Sequence, residues 1–171
     1  MIDYKNIKEF LPQDFHDESR VWIYQSNRIL SMSEAFTIEP LLNSFIEQWK
    51  SHGSPVKGFA NLIFGQFIII MADESKTQVG GCSTDSSVRL IKQIEQELQI
   101  ELFNRQNLAF IIKDKIQILP MQQINYALEN EFINSDTLYF NNLVATKKEL
   151  IEKWIIPVKE SWLASRLVVN S

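Results

Sequence analysis

Ten consecutive residues hold most of the groups in this chain that could do chemistry: Gly80-Gly81-Cys82-Ser83-Thr84-Asp85-Ser86-Ser87-Val88-Arg89. They lead into an apolar repeat, Val88, Ile91, Ile94 and Leu98, whose spacing predicts a helix from about Ser83 to Leu98. At a helix start these residue types fit three chemistries. Ser83, Thr84 or Asp85 can cap, because a side-chain oxygen satisfies amides that lack an intrahelical acceptor. The same amides can instead hold a phosphate or carboxylate, since they point outward at the positive end of the helix dipole. Gly80 and Gly81 would let such an anion reach the backbone. The Ser83, Ser86 and Ser87 hydroxyls would add donors and Arg89 a counter-charge, while Asp85 would compete with the ligand. Finally, Cys82 can serve as a nucleophile, because a helix start favours a thiolate. That third use needs a base, and His16 and His52 are the only imidazoles. His52 is expected at the far end of the preceding helix, away from Cys82, and His16 in an N-terminal arm.

Other polar groups are less organised. Asp73-Glu74 ends an apolar run as two solvated acids, with no partner assigned. Asp14, His16, Asp17 and Glu18 cluster in the arm and read as solvated charge rather than a metal site. One cysteine makes neither an internal disulfide nor, with these histidines, a zinc set. No metal or cofactor is expected.

The 171 residues are 45% hydrophobic and 22% charged, enough for one domain with its own core. A net charge of -4, with Lys147-Lys148 as the only adjacent basic pair, argues against nucleic-acid backbone binding. The aromatic residues do not interleave with a basic patch, so no stacking platform for bases is expected. The first residues are too acidic and mixed for a signal peptide. The longest apolar run, Phe67 to Ala72, is too short to span a membrane. A cytoplasmic protein is expected.

The elements that would position these groups follow from punctuation and periodicity. Val21 to Tyr24 reads as a strand. Pro40 suits the first position of a helix capped by Thr37 or Glu39, with Leu41, Leu42, Phe45, Ile46 and Trp49 on one face and Gly53 just past its end. Phe59 to Phe64 and Phe67 to Ala72 read as strands joined by a turn at Gly65-Gln66. The second is apolar on both faces and is therefore expected to be central. After the Ser83 helix, Leu108 to Ile112 and Ile116 to Leu119 form a hairpin across Lys113-Asp114-Lys115. Pro120 opens a third helix. "DTLYFNNLV" reads as a short edge strand and a turn, and Thr146 with Glu149 forms a capping box for a last helix that Pro157 would kink or split in two.

Two resemblances attach to the same residues. Phe67 to Glu74, "FIIIMADE", resembles the strand and acid of nucleoside triphosphatases, and "VGGCS" resembles the Gly-Gly signature of ABC-transporter ATPases. Gly81-Cys82-Ser83-Thr84-Asp85-Ser86-Ser87 resembles the Gly-Cys-Ser-x-Asp-x-Ser segment of a small uncharacterised bacterial family. Its members are sometimes labelled "ABC transporter ATPase", and the likeness covers most of the chain. The resemblance implies no activity. The label lacks a phosphate loop: in the nearest match, "GSPVKGFA" from Gly53 to Ala60, Phe59 and Ala60 stand where the lysine and hydroxyl must be. The Gly-Gly segment also follows the acidic strand, whereas in those ATPases it precedes it.

The order β-α-β-β-α-β from Val21 to Leu119 is that of a ferredoxin-like split βαβ unit. The expected fold is therefore α+β: one antiparallel sheet over residues 19–120, and a C-terminal helical extension over residues 121–171. Its expected role is a binding or interaction module that takes a small anion at Gly80, Gly81, Cys82, Ser83, Ser86, Ser87 and Arg89. The alternative is an enzyme with Cys82 as nucleophile. Leu150, Ile151, Trp154, Ile155, Val158 and Trp162 form an apolar stripe that either packs on the sheet or makes a homodimer contact anchored by Trp154 and Trp162.

Overall fold

Every residue of the strand Phe67–Asp73 is buried, and the fold is arranged to cover both of its faces. The computed structural model describes residues 3–167. Their elements are β1 (Arg20–Gln25), α1 (Met32–Gln48), β2 (Lys50–Ser51), β3 (Ser54–Pro55), β4 (Lys57–Ile63), β5 (Phe67–Asp73), α2 (Gly81–Leu98), β6 (Asn107–Ile112), β7 (Lys115–Pro120), α3 (Ile124–Glu129), β8 (Leu138–Phe140), α4 (Lys147–Lys153), β9 (Ile155–Pro157) and α5 (Ala164–Leu167). The class is α+β with antiparallel sheets. One sheet has the order β1-β5-β4 and the other β7-β6-β8-β9; β2 and β3 pair as a separate hairpin.

The period of two along β5 sends Ile68, Ile70 and Ala72 toward α1 and α2, where they meet Ile38, Leu42, Leu90, Ile91 and Ile94. Phe67, Ile69 and Met71 point the other way, onto Ala109 and Ile111 of β6, Phe140 of β8, and Trp154. The outer face of the second sheet, Leu108, Phe110 and Tyr139, is covered by Ile124 and Ala127 of α3 and by Val158 and Leu163. The layers are thus helices, sheet, sheet, helices. Among the described residues no helix is long and apolar enough to cross a membrane.

The central position of β5 agrees with its two apolar faces, and Phe64 and Gly65 form the turn before it with φ of 57° and 65°. Other elements differ from the sequence reading. Leu108 to Ile112 does not join β1, as a split βαβ unit requires; β6 pairs with β7 and β8. The outer edge of β1 is already taken: Val21 N–H donates to the Ala145 carbonyl at 2.9 Å, and Arg20 bridges Thr146. Segment 121–167 is likewise more than a helical extension. It supplies β8, an inner strand rather than an edge, and β9. The last helical segment is divided into α4 and α5 rather than kinked, but the break comes before Pro157: α4 stops at Lys153, and Pro157 ends β9 opposite Leu138.

The helix α1 starts eight residues before Pro40. Ser31 accepts from the Glu34 amide at 3.2 Å, and the Glu34 carboxylate accepts from the Ser31 amide at 2.9 Å, closing a capping box. The Arg28 guanidinium beside Glu34 holds that carboxyl at about 2. Pro40 is tolerated inside the helix on an exposed face, at the cost of one backbone hydrogen bond.

Candidate functional site

The strand order places the end of α1, the end of β5 and the start of α2 at one end of the molecule. β1 and β4 both run antiparallel to β5, and α1 returns the chain between them. Helix α1 therefore ends where β5 ends and α2 begins. This overturns the expectation that His52 lies far from Cys82. The turn between β2 and β3, with His52 at φ 52° and Gly53 at φ 81°, folds back over the start of α2. The Nε2 of His52 comes within 3.3 Å of where a Cβ on Gly80 would stand.

The helix begins two residues before Ser83. Gly80 is its N-cap, with extended backbone (φ -89°, ψ -176°) and no side-chain cap, so Ser83, Thr84 and Asp85 do not cap it. They lie one turn too far in, where hydroxyls face the carbonyls three or four residues back. Thr84 Oγ1 donates to the Gly80 carbonyl at 3.1 Å, Ser86 Oγ to Ser83 at 2.7 Å, and Ser87 Oγ to Thr84 at 2.6 Å. Ser83 Oγ donates across to the Lys50 carbonyl at 2.8 Å, and the buried Trp49 indole donates to the Ser83 carbonyl at 3.0 Å. The expected hydroxyl donors are thus engaged by the chain itself. Arg89 lies eight residues past Gly81, about 12 Å along the axis, too far to serve as counter-charge at the first amides.

Backbone amides are what remains. The Gly80 amide donates to Ser51 Oγ at 3.3 Å. Those of Gly81, Cys82 and Ser83 have no acceptor among the described residues. Gly81 and Cys82 are exposed, and a Cβ on Gly81 would meet nothing within 4 Å. The amide of Ser83 belongs to a buried residue.

The acids at the end of β5 are structural. Asp73, 5% exposed, accepts from the Ser75 hydroxyl at 2.6 Å and from the Ser75 and His16 amides at 2.9 and 3.0 Å. The Ser75 hydroxyl first, then these amides and nearby Lys57, hold its carboxyl at about 2 against the opposing effect of burial. Glu74 accepts the Val79 amide at 2.9 Å and lies 3.5 Å from Arg20, whose guanidinium stacks over Trp22 at 4.7 Å. The expected pair of solvated acids instead ties the loop 74–80 and the N-terminal arm in place. Lys57 adds a further tie, donating to the Asp14 carbonyl at 2.7 Å. A concavity of about 430 Å³ borders this loop, lined by Ser54, Pro55, Lys57, Asp73, Ser75, Lys76 and Thr77.

Sequence reasoning missed Ser51, Lys57, Ser75 and Lys76. The first two belong to the "SHGSPVKG" run, whose His-Gly pair marks the β2–β3 turn. From Gly53 to Ala60 the chain enters a strand, not the helix that a phosphate loop precedes. Trp154 is not a surface anchor: it is fully enclosed against Phe67 and Phe140 and donates to Asn142 at 2.9 Å. Trp162 is 39% exposed and donates to the Tyr139 hydroxyl. In the arm, His16 Nδ1 accepts the Glu18 amide, and no three His, Cys, Asp or Glu side chains among the described residues gather to hold a metal. No protein-family model, no curated protein and no solved structure matches the chain.

Proposed function

We propose that the chain is a cytoplasmic binding module that takes a small anion at the start of α2. The observation carrying this reading is that Gly81 and Cys82 are exposed and their amides have no acceptor among the described residues, while the side-chain hydroxyls around them are satisfied internally. The ligand is then held by backbone donors and the helix dipole, with His52 at its flank, and not by the hydroxyls of Ser83, Ser86 and Ser87. The single cysteine suits a reducing compartment. The arrangement β1-α1-β4-β5-α2 follows a split βαβ unit without its fourth strand, a likeness that carries no activity by itself.

Gly81→Pro tests the reading. Gly81 is the first helical residue, where proline is favoured, and the extended Gly80 before it suits an X-Pro bond. The change deletes one donor without straining the fold. Inorganic phosphate should shift the Gly81 and Cys82 amide resonances of the native chain at millimolar concentration, and the Cys82 shift should fade in the variant. Shifts that are absent, or unchanged in the variant, would remove the site.

The second reading, Cys82 as nucleophile, gains from the nearness of His52 to Gly80. Iodoacetamide should then alkylate Cys82 much faster than free cysteine near neutral pH, and His52→Ala should slow it at least about tenfold, as loss of a general base does. A rate equal to that of free cysteine in both proteins would exclude it.

A further inference from the structure

A different part of the molecule has main-chain donors and acceptors that nothing among the described residues pairs. The two larger sheets have four edges, and three are blunted in ways proteins use against stray pairing. The edge of β1 is capped at its start by residues 145–147, which bond Ser19 and Val21. The strand β7 ends in Pro120, and β9 has three residues and ends in Pro157. The fourth edge is β4, seven residues long, free of proline and paired among the described residues only with β5.

Its outward groups can be assigned. The Leu62 amide is turned away from β5, because it donates to the Asn61 side chain at 2.9 Å. Antiparallel pairing alternates, so the amides and carbonyls of Ala60 and Gly58 also face outward. Beside them, between β4 and α1, runs a groove of about 430 Å³. Its helical wall carries Glu39, Asn43 and Glu47, all exposed, and its strand wall Gly58, Phe59, Ala60 and Asn61. No ion pair among the described residues engages either glutamate. At helical spacing toward the start of α1, Phe36 and Met32 continue the line of Glu39 and Asn43, 64% and 76% exposed.

We propose that this groove docks an extended, basic segment of another protein, which adds to the β1-β5-β4 sheet as a fourth strand. Main-chain groups of Gly58 and Ala60 supply the pairing, and the two glutamates select the charge. Charge also argues against a second copy of this chain, which has a net charge of -4 and would set acidic groove rims against each other. The spacing fixes the motif. Glu39 and Glu47 are about 12 Å apart along the helix, which an extended strand covers in about four residues. Two lysines or arginines four residues apart therefore fall on one face of the added strand, over the two acids, with the residue midway between them over Asn43.

The probe is an acetylated and amidated heptapeptide, Val-Lys-Val-Thr-Val-Lys-Val, compared with one in which the second lysine is moved by one place onto the other face. The first should bind, protect the Gly58 and Ala60 amides from hydrogen exchange, and lose about tenfold in affinity with Glu39→Lys/Glu47→Lys. Ala60→Pro, which removes an outward amide on an edge strand where proline is admissible, should abolish binding. Should that variant unfold, the exposed charge reversals decide alone. Equal binding of both peptides, protection elsewhere, or a dimer of the chain that Glu39→Lys/Glu47→Lys strengthens would overturn the proposal.

Discussion

The start of α2 and the groove beside β4 differ in what they leave unpaired. Around α2 the chain has many reactive-looking side chains, and almost all are matched internally: Thr84, Ser86 and Ser87 to carbonyls of their own helix, Ser83 to Lys50, and Asp73 and Glu74 to loop amides. Beside β4 no motif is visible, yet two carboxylates and a strand edge have no partner among the described residues. A dense polar motif is thus here mainly a fastening that leaves only backbone amides open, and the unpartnered side chains lie where the sequence is plain. Removing groups should consequently cost stability at the first region and leave it nearly unchanged at the second. The largest difference is expected for Asp73→Ala, which orphans the His16 and Ser75 amides together and should lower unfolding free energy by about 3 kcal/mol in a denaturant titration. Glu47→Ala should stay within about 0.5 kcal/mol.

Acid sharpens the same contrast. The Asp73 carboxyl titrates at about 2 when folded, against about 3.9 in an unfolded chain. Its stabilising effect is therefore complete above about pH 4 and is lost as pH falls toward 2. Between those values the native chain should lose stability more steeply than Asp73→Ala, measured at several pH values under one salt condition. Parallel curves would mean that the carboxylate is not held as described.

One residue connects the regions. The Trp49 ring lies against Gly58 in the groove while its indole N–H reaches the Ser83 carbonyl of α2. A Cβ on Gly58 would stand 2.7 Å from Trp49 Cε3 and 3.1 Å from Ile46 Cδ1. Trp49, 3% exposed and held at its nitrogen, has little room to yield. Gly58→Ala should cost about 2 kcal/mol by overpacking, and the strain should appear in the amide resonances of Ser83 and its neighbours as well as in the groove. A shift confined to the groove would show that the two regions are independent.

How far the sequence discloses all this depends on the range of the forces involved. Local signals are legible: the two apolar faces of β5 mark a central strand, and Ser31 with Glu34 is a capping box available to be read, although Pro40 draws attention to a later start. The α+β class follows from the same patterns. The partner of β6 is not local. It depends on residues 145–147 reaching the edge of β1, more than a hundred positions from Arg20, and no period or propensity encodes that contact. The apolar second face of β5 does contain a hint, because a single sheet with helices on one side would leave Phe67, Ile69 and Met71 in water. Likewise, the serines after Cys82 are recognisable as hydrogen-bonding groups, but their acceptors are set by how deep in the helix each one falls.

The smallest expected effect tests the groove by opening it further. Asn61 is exposed, and its carboxamide covers the outward amide of Leu62, a local shield on an otherwise bare edge. Asn61→Ala removes the shield but no buried contact, so unfolding free energy should change by less than about 0.5 kcal/mol. The Leu62 amide becomes a third outward donor beside those of Gly58 and Ala60. One more net hydrogen bond contributes about 1 kcal/mol, so the lysine heptapeptide should bind roughly fivefold tighter, with Leu62 joining the protected amides. If Asn61→Ala loosens the fold without tightening the peptide, Asn61 is an ordinary strand residue and the edge of β4 is not a docking surface.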